Sequence, residues 1–358
     1  MRKHYLDNIR WATVLLVLAY HVFYIFNGLG IPGGIPGAES ISVFDTAAAI
    51  VYPWFMVLLF VVAGISARYS LEKRTGKQFL RERAVKLLVP STLGLFVIHW
   101  ITGYFNIKLG GGLAFIPAPL VYPISVISGI GPLWFIQMLF LFFCILVLLR
   151  KLDKGDRLWN LCAGANGPVI LLLAVPVFAG AQIGNLPVLT MYRFGIYFVS
   201  FLIGYYVFSH DGVQEKIKMM ALPMLCIGVF CAVLYTVSYH GRDYTAPECL
   251  QSVLTNLYLW AVVLAVLGCF RKYFDRETPV TRYLTRASFG LYILHYPVLM
   301  VVCYMLHTYL TLPAIGKYAI ALAAEVVLTF AAYEGISRIP VVRFLVLGIK
   351  GRSKKTER

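Results

Sequence analysis

The chain has 358 residues, of which 60% are hydrophobic and only 13% are charged. Soluble domains are roughly 45–50% apolar and about 25% charged, so this composition excludes a soluble globular protein, and it also excludes disordered, collagen-like and disulfide-rich chains. Thirty-two Lys and Arg against sixteen Asp and Glu give a formal charge of +16. In a soluble protein that charge would indicate nucleic-acid binding, whereas in a membrane protein it can encode topology.

Apolar segments of about 20 residues, the length that crosses the hydrocarbon core of a bilayer, recur along the chain. They predict an all-α integral membrane protein, a bundle of about ten transmembrane helices. The predicted spans lie near residues 11–27, 46–67, 87–106, 132–149, 165–181, 193–209, 220–239, 250–270, 287–307 and 312–334.

Basic residues are concentrated in alternate gaps between these spans. The opposite side holds only Lys108 and Arg242 in its gaps and Arg193 and Lys317 at the adjoining ends of two spans. Because cytoplasmic loops are enriched in Lys and Arg, this asymmetry predicts that both termini are cytosolic, in agreement with an even number of spans. The charge is spread over short loops, so nucleic acid is not an expected partner. The last segment, residues 341–358, is predicted to be a basic cytosolic tail that follows a membrane domain at 1–340.

Two gaps on the opposite side of the predicted membrane, 28–45 and 108–131, are rich in Gly and Pro. Loops of about 20 residues often form lids or contact substrate, although plain connectors are commoner. The segment FIPAPLVYPISVI in the second gap is apolar enough to enter the edge of the membrane.

Arg10, just before the first predicted span, and His21, within it, are the most informative ionisable residues. They are 11 residues apart, close to three helical turns, so both side chains share one face of the first helix. A rise of about 1.5 Å per residue places the imidazole roughly 16 Å deeper than the guanidinium, near the midplane. A guanidinium suits phosphate and an imidazole suits proton transfer. The alternatives are a topology anchor for Arg10 and a packing role for His21; Asp7, one turn earlier, either pairs with Arg10 or orients it.

Titratable side chains at membrane depth are costly and are therefore candidates for function. Ser288, Tyr292 and His295 share one stripe of the ninth span, where substrate binding and helix packing are equally open interpretations. Glu325 lies midway along the last span, at much the same depth as His21. We predict that this carboxylate orients or charge-balances the imidazole, as in many catalytic pairs.

Several sequence elements, in order along nearly the whole chain, resemble acyltransferase family 3, membrane enzymes with ten helices that transfer acyl groups, often acetyl, to carbohydrates and related acceptors. YLDNIRWATVLLVLAYH resembles the family's opening Leu-Asp-x-x-Arg, followed by ten residues and His. The other elements that resemble the family are PWFMVLLFVVAGISARYSL, FLRERAVKLLVP, GPLWFIQMLFLFF, SFGLYILHYPV and YEGISRIPVVRFLVLG. Two positions depart from its pattern: Lys86 stands where Arg is usual, and Pro132 replaces a His.

The resemblance implies an O-acyltransferase of the cell membrane. Its donor substrate would be a cytosolic acyl-CoA, above all acetyl-CoA, with no bound cofactor and no metal, and its acceptor the hydroxyl of a carbohydrate or lipid-linked glycan. His21 would act as general base or as acyl carrier. Arg10 and Glu325 complete the candidate catalytic residues. The candidate residues for binding the substrates are Asp7, Arg83, Lys86, Trp134, Tyr292 and His295.

Two other interpretations remain open at this stage. Buried His, Arg and Glu also serve proton-coupled transporters and exporters, but no internal repeat of the kind common in transporters is evident. A membrane scaffold without chemistry would leave the buried His21 and Glu325 unexplained.

Overall fold

The computed structural model describes residues 3–186 and 189–349. Within these ranges all the regular secondary structure is helical, apart from one isolated bridge between Asn185 and Arg193. The all-α class is therefore confirmed for the described part of the chain. In chain order the helices are α1 (His4–Ile25), α2 (Ser42–Leu71), α3 (Gly76–Leu109), α4 (Ala118–Ser128), α5 (Gly131–Leu152), α6 (Arg157–Cys162), α7 (Gly167–Gln182), α8 (Phe194–Tyr206), α9 (Asp211–Met219), α10 (Ala221–Tyr239), α11 (Pro247–Leu250), α12 (Val253–Tyr273), α13 (Pro279–Tyr309), α14 (Ala314–Arg338) and α15 (Pro340–Leu347).

Eight of these helices in the described part of the chain are long and apolar enough to cross a membrane: α1, α2, α3, α5, α10, α12, α13 and α14. Each overlaps one predicted span. The other two predicted spans, 165–181 and 193–209, overlap the shorter apolar helices α7 and α8. A multi-pass membrane protein follows from the eight long helices, while the count of ten and the cytosolic termini stay predictions.

The first helix begins seven residues earlier than hydropathy predicted. Its polar first turns are helical because other segments satisfy their polar groups. The Asn8 side chain donates to the carbonyls of Phe274 and Arg276, at 2.6 and 3.0 Å, and the Tyr5 amide donates to Asp275 at 2.9 Å. These bonds attach the start of α1 to the segment that joins α12 and α13.

Local sequence signals account for several helix starts. Thr75 and Gln78 form a reciprocal capping box at the start of α3, and Thr278 and Thr281 form another before α13. Such bonds satisfy amide groups that the first helical turn leaves without partners. Within α3, two π-helical turns, Ala84–Leu88 and Leu95–His99, flank the proline at position 90, whose missing amide disrupts regular α-helical bonding.

Small residues allow α2 and α8 to pack closely at the centre of the bundle. A Cβ atom built on Gly64 would lie 2.0 Å from the Phe201 carbonyl oxygen, and one built on Gly204 would lie 2.1 Å from that of Val61. Neither position therefore has room for a side chain. Close backbone approach through small residues is a common way for membrane helices to associate.

The segment predicted as a tail begins inside α15. Val346 and Leu347 at the end of this helix are buried against the rest of the bundle. Packing thus extends beyond residue 340, to at least Leu347. The remainder of the predicted tail, residues 350–358, lies outside the described part of the chain, as do residues 1–2.

Candidate active site

A cationic cavity of about 430 Å³ surrounds the start of α1. We call it the Arg10 chamber. Its charged and hydroxyl lining includes Asp7, Arg10, Ser66, Arg83, Lys86 and Arg286. Four of these six side chains are basic and one is acidic, so the chamber is strongly suited to a polyanion.

The basic side chains of this chamber are held by identifiable contacts. Arg10 donates to Asp7 Oδ1 at 2.6 Å and to the Ser66 hydroxyl. The Arg83 guanidinium donates to Ser70 Oγ at 3.4 Å and lies 5.2 Å from the centre of the Phe79 ring. A guanidinium fork presents five N–H groups, and the buried Nε of Arg83 has no hydrogen-bond partner among the residues described.

A second cavity, of about 450 Å³, surrounds His21. We call it the His21 chamber. Its lining includes the loop residues 31–33 and 189–192 and Thr245. Many of its lining side chains are aromatic: Tyr20, Tyr24, Tyr52, Phe55, Trp134, Tyr192, Tyr197, Tyr292 and Tyr296.

One face of α1 joins the two chambers. Arg10 and Val14 line the Arg10 chamber, and Val17 and His21 line the His21 chamber. Spacings of four, three and four residues keep these side chains on a single helical stripe. The predicted shared face of Arg10 and His21 is therefore the face that both cavities use.

The hydrogen bonds of His21 determine which ring nitrogen is protonated. Its Nδ1 lies 2.8 Å from the carbonyl oxygen of Val17 and 3.3 Å from Nε2 of His295. A carbonyl oxygen only accepts, so His21 Nδ1 bears the hydrogen and Nε2 of the neutral ring bears the lone pair. The basic nitrogen is thus the one that these contacts leave for a substrate.

His295 lies behind His21 and is fully buried. Its Nδ1 donates to the Tyr292 carbonyl oxygen at 2.6 Å, which makes its Nε2 the acceptor that faces His21 Nδ1–H. The sequence placed His295 on a stripe open to either substrate binding or packing. The structure places it against the imidazole of His21, as a base and its orienting partner are arranged in a catalytic triad.

Tyr292 and Trp134, both predicted from sequence, occupy the region between the chambers. Tyr292 lines both cavities, and its hydroxyl donates to the carbonyl oxygen of Pro132. Trp134 lines the His21 chamber, whereas the next residue, Phe135, lines the Arg10 chamber. Pro132 thus contributes a backbone acceptor at the position where a His was expected.

Glu325 is fully buried, and neither of its carboxyl oxygens has a hydrogen-bond partner among the residues described. No hydrogen bond or ion pair joins it to His21 in that part of the chain. It lies within electrostatic reach of Tyr296, whose ring is 5.1 Å from that of His21, centre to centre.

Sequence reasoning did not select Arg286 or the tyrosines around His21. Arg286 lies two residues before Ser288 in the stripe already noted, so its position near the predicted site was visible. Tyr20 and Tyr24 flank His21 on α1, and Tyr296 follows His295 directly. The available signal was the number of tyrosines next to the two histidines within predicted spans.

The described part of the chain forms a multi-pass helical bundle in which a cationic and an aromatic chamber follow one face of α1, with a histidine pair at the aromatic one. A family model for the acyltransferase domain matches residues 3–334. The chain belongs to this family, acyltransferase family 3, and the resemblance in its motifs is confirmed. Comparisons with curated proteins and with solved structures gave no match. The protein is a membrane acyltransferase.

Proposed function

We propose that the protein transfers an acyl group, above all acetyl, from cytosolic acyl-CoA to a hydroxyl of a carbohydrate or lipid-linked glycan, in the cell membrane. The observation that carries this proposal is the shared α1 stripe. It leads from a cationic chamber at Arg10 to a basic nitrogen at His21.

The Arg10 chamber suits the phosphate groups of CoA. Arg10, Arg83 and Lys86 present three positive charges to one cavity, and Arg286 adds a fourth at its edge. Guanidinium groups bind phosphate oxygens in pairs, and the field of several cations favours a multiply charged ligand. From that anchor the long, thin pantetheine arm would extend along the α1 stripe toward His21, roughly 16 Å away at about 1.5 Å per residue.

His21 supplies the proton acceptor. Its Nε2 takes the proton of the acceptor hydroxyl as that oxygen attacks the thioester carbonyl carbon. The C–S bond then breaks, and the departing thiolate of CoA takes the proton from the imidazole. His295 Nε2 accepts from the opposite side of the ring and stabilises the imidazolium while it exists. The same His21 nitrogen is the one that would attack the thioester if the acyl group were first carried on the histidine.

The His21 chamber suits a sugar or similar polyol. Aromatic faces offer apolar surface to the C–H groups of a ring, while tyrosine hydroxyls donate to and accept from its hydroxyl groups. With both termini in the cytosol, the Arg10 chamber would open to the cytosol and the His21 chamber, with its Gly/Pro-rich residues 31–33, to the other side. Donor and acceptor would then approach His21 from opposite sides of the membrane.

Calorimetric titration of the detergent-purified protein with acetyl-CoA and with CoA tests the donor. We expect binding that is weakened in Arg10→Ala and retained in His21→Ala. Arg338→Ala is the matched control, because this arginine is exposed and lies outside both chambers. Absence of binding by folded wild-type protein would reject acyl-CoA as the donor.

A further inference from the structure

Tyr292 stands at the boundary between the two chambers. It lines both cavities although its side chain is almost wholly buried. On the facing helix, Val14 lines the Arg10 chamber and Val17 the His21 chamber. These two residues are three positions apart, so the partition between the cavities is only roughly 5 Å thick along α1.

Two contacts hold the Tyr292 ring across this boundary. Its hydroxyl donates to the Pro132 carbonyl oxygen in the 3₁₀ turn, Gly131–Leu133, that begins α5. Its ring meets that of Phe135 nearly at right angles, with the centres 5.8 Å apart. One end of the ring is thus attached to α13 and the other to α5, and the aromatic pair lies at the boundary of the cavities.

A partition between the two chambers affects whether water or the acceptor hydroxyl attacks the thioester. If His21 is a general base, it removes a proton from water as readily as from a sugar hydroxyl, because it does not distinguish the two oxygens. Hydrolysis would then consume the donor: the oxygen of water attacks the thioester carbonyl carbon, the C–S bond breaks, and acetate and the CoA thiol are released. Transfer therefore requires that water be kept from the thioester.

We propose that Tyr292 is the specificity-determining residue that directs the acyl group to the acceptor hydroxyl rather than to water. This inference rests on the proposed function. The pantetheine arm passes the partition to bring the thioester to His21, and the Tyr292 ring, held at its hydroxyl, closes around it. Water in the Arg10 chamber is thereby kept off the carbonyl carbon, and the acceptor seated in the His21 chamber is the available nucleophile.

The test measures release of the CoA thiol from acetyl-CoA by the detergent-purified protein, with no acceptor added. Tyr292→Ala opens the partition, and we expect its rate of hydrolysis to exceed that of the wild type by about tenfold or more. Tyr292→Phe keeps the ring and loses only the bond to Pro132, so its increase should be smaller. Combining Tyr292→Ala with His21→Ala should return hydrolysis to the background rate, because the proton acceptor is then missing.

Tyr258→Ala is the matched control. This tyrosine is equally buried, donates to the Ile50 carbonyl oxygen at 2.7 Å, and lies outside both chambers. The same loss of volume at that site should not raise hydrolysis. Tyr292→Leu replaces the alanine variant if the latter is not recovered folded, since it keeps more of the side-chain volume.

The results separate this inference from the proposed function. Folded Tyr292 variants that bind acetyl-CoA and hydrolyse it no faster than the wild type would overturn the role of Tyr292 and leave the proposed function intact. An equal rise in Tyr258→Ala would overturn it too, because a general loosening would then explain the effect. Failure of wild-type protein to bind acetyl-CoA in the calorimeter would reject both.

Discussion

Nε2 of His295 lies 3.3 Å from Nδ1 of His21, so that helices α13 and α1 bring a fully buried and a partly buried imidazole together beside the His21 chamber. Each ring also donates from Nδ1 to a carbonyl oxygen of its own helix. This arrangement orients both rings and assigns their tautomers. It leaves Nε2 of His21 as the basic atom.

His295→Leu removes the acceptor behind His21, and we expect kcat to fall by about 100-fold with little change in KM for acetyl-CoA. The reason is that an imidazolium forming at His21 loses the lone pair that stabilises it, while the Arg10 chamber is untouched. His295→Gln should recover part of the rate, since its amide oxygen can accept from Nδ1–H. Steady-state kinetics with acetyl-CoA would measure the effects on kcat and on KM separately. If kcat falls equally in the Gln and Leu variants, the role of His295 is packing.

Helical periodicity was enough to place Arg10 and His21 on one face, because both residues belong to the same helix and the geometry of a helix is local. The contact between His21 and His295 could not be predicted in this way. The two residues are separated by 274 positions, and their meeting depends on how α1 packs against α13. For the same reason the sequence suggested Glu325 as a direct partner of His21 from depth alone, a contact that the described residues do not contain.

Hydropathy located the apolar centres of the helices better than their ends. The first helix starts at His4 rather than near residue 11 because Asn8 and Tyr5 find partners in the segment between α12 and α13. A hydropathy profile reports only the polarity of these residues. The partners that make a polar turn helical belong to a distant part of the chain.

Glu325→Leu replaces a buried carboxyl group that has no hydrogen-bond partner among the residues described. Burial of a polar group without a partner costs about 1–3 kcal/mol, so we expect the variant to unfold at a higher temperature than the wild type. Turnover should fall, because a buried polar group that lowers the stability of a protein is commonly kept for its role in activity. Thermal unfolding and acetyl transfer measured on the same preparation would test both. A lower Tm with unchanged turnover would make Glu325 a structural residue.

Lys86→Arg restores the residue usual in the family at this position. Lys86 lines the Arg10 chamber from a π-helical turn of α3, with its Nζ 5.1 Å from the centre of the Phe289 ring. A guanidinium at this place offers a planar pair of donors to a phosphate, whereas an ammonium acts as a point charge. We expect several-fold tighter binding of acetyl-CoA by calorimetry.

Lys86→Gln is the control for this substitution and should weaken binding through the loss of charge. Binding that is the same in the Arg, Lys and Gln forms would remove position 86 from the donor site. Arg83, one turn away in the same chamber, would then be the better candidate for the phosphate contact.

Gly64→Ala tests the packing that holds α2 beside α8. The added Cβ would lie 2.0 Å from the Phe201 carbonyl oxygen, and because that atom belongs to a helical backbone it cannot rotate away. The two helices must separate, so we expect a clear fall in Tm and in the yield of folded protein. Gly212→Ala is the matched control, since a Cβ there meets nothing within 4 Å. A Gly64→Ala protein as stable as that control would show that the α2–α8 contact adjusts at little cost.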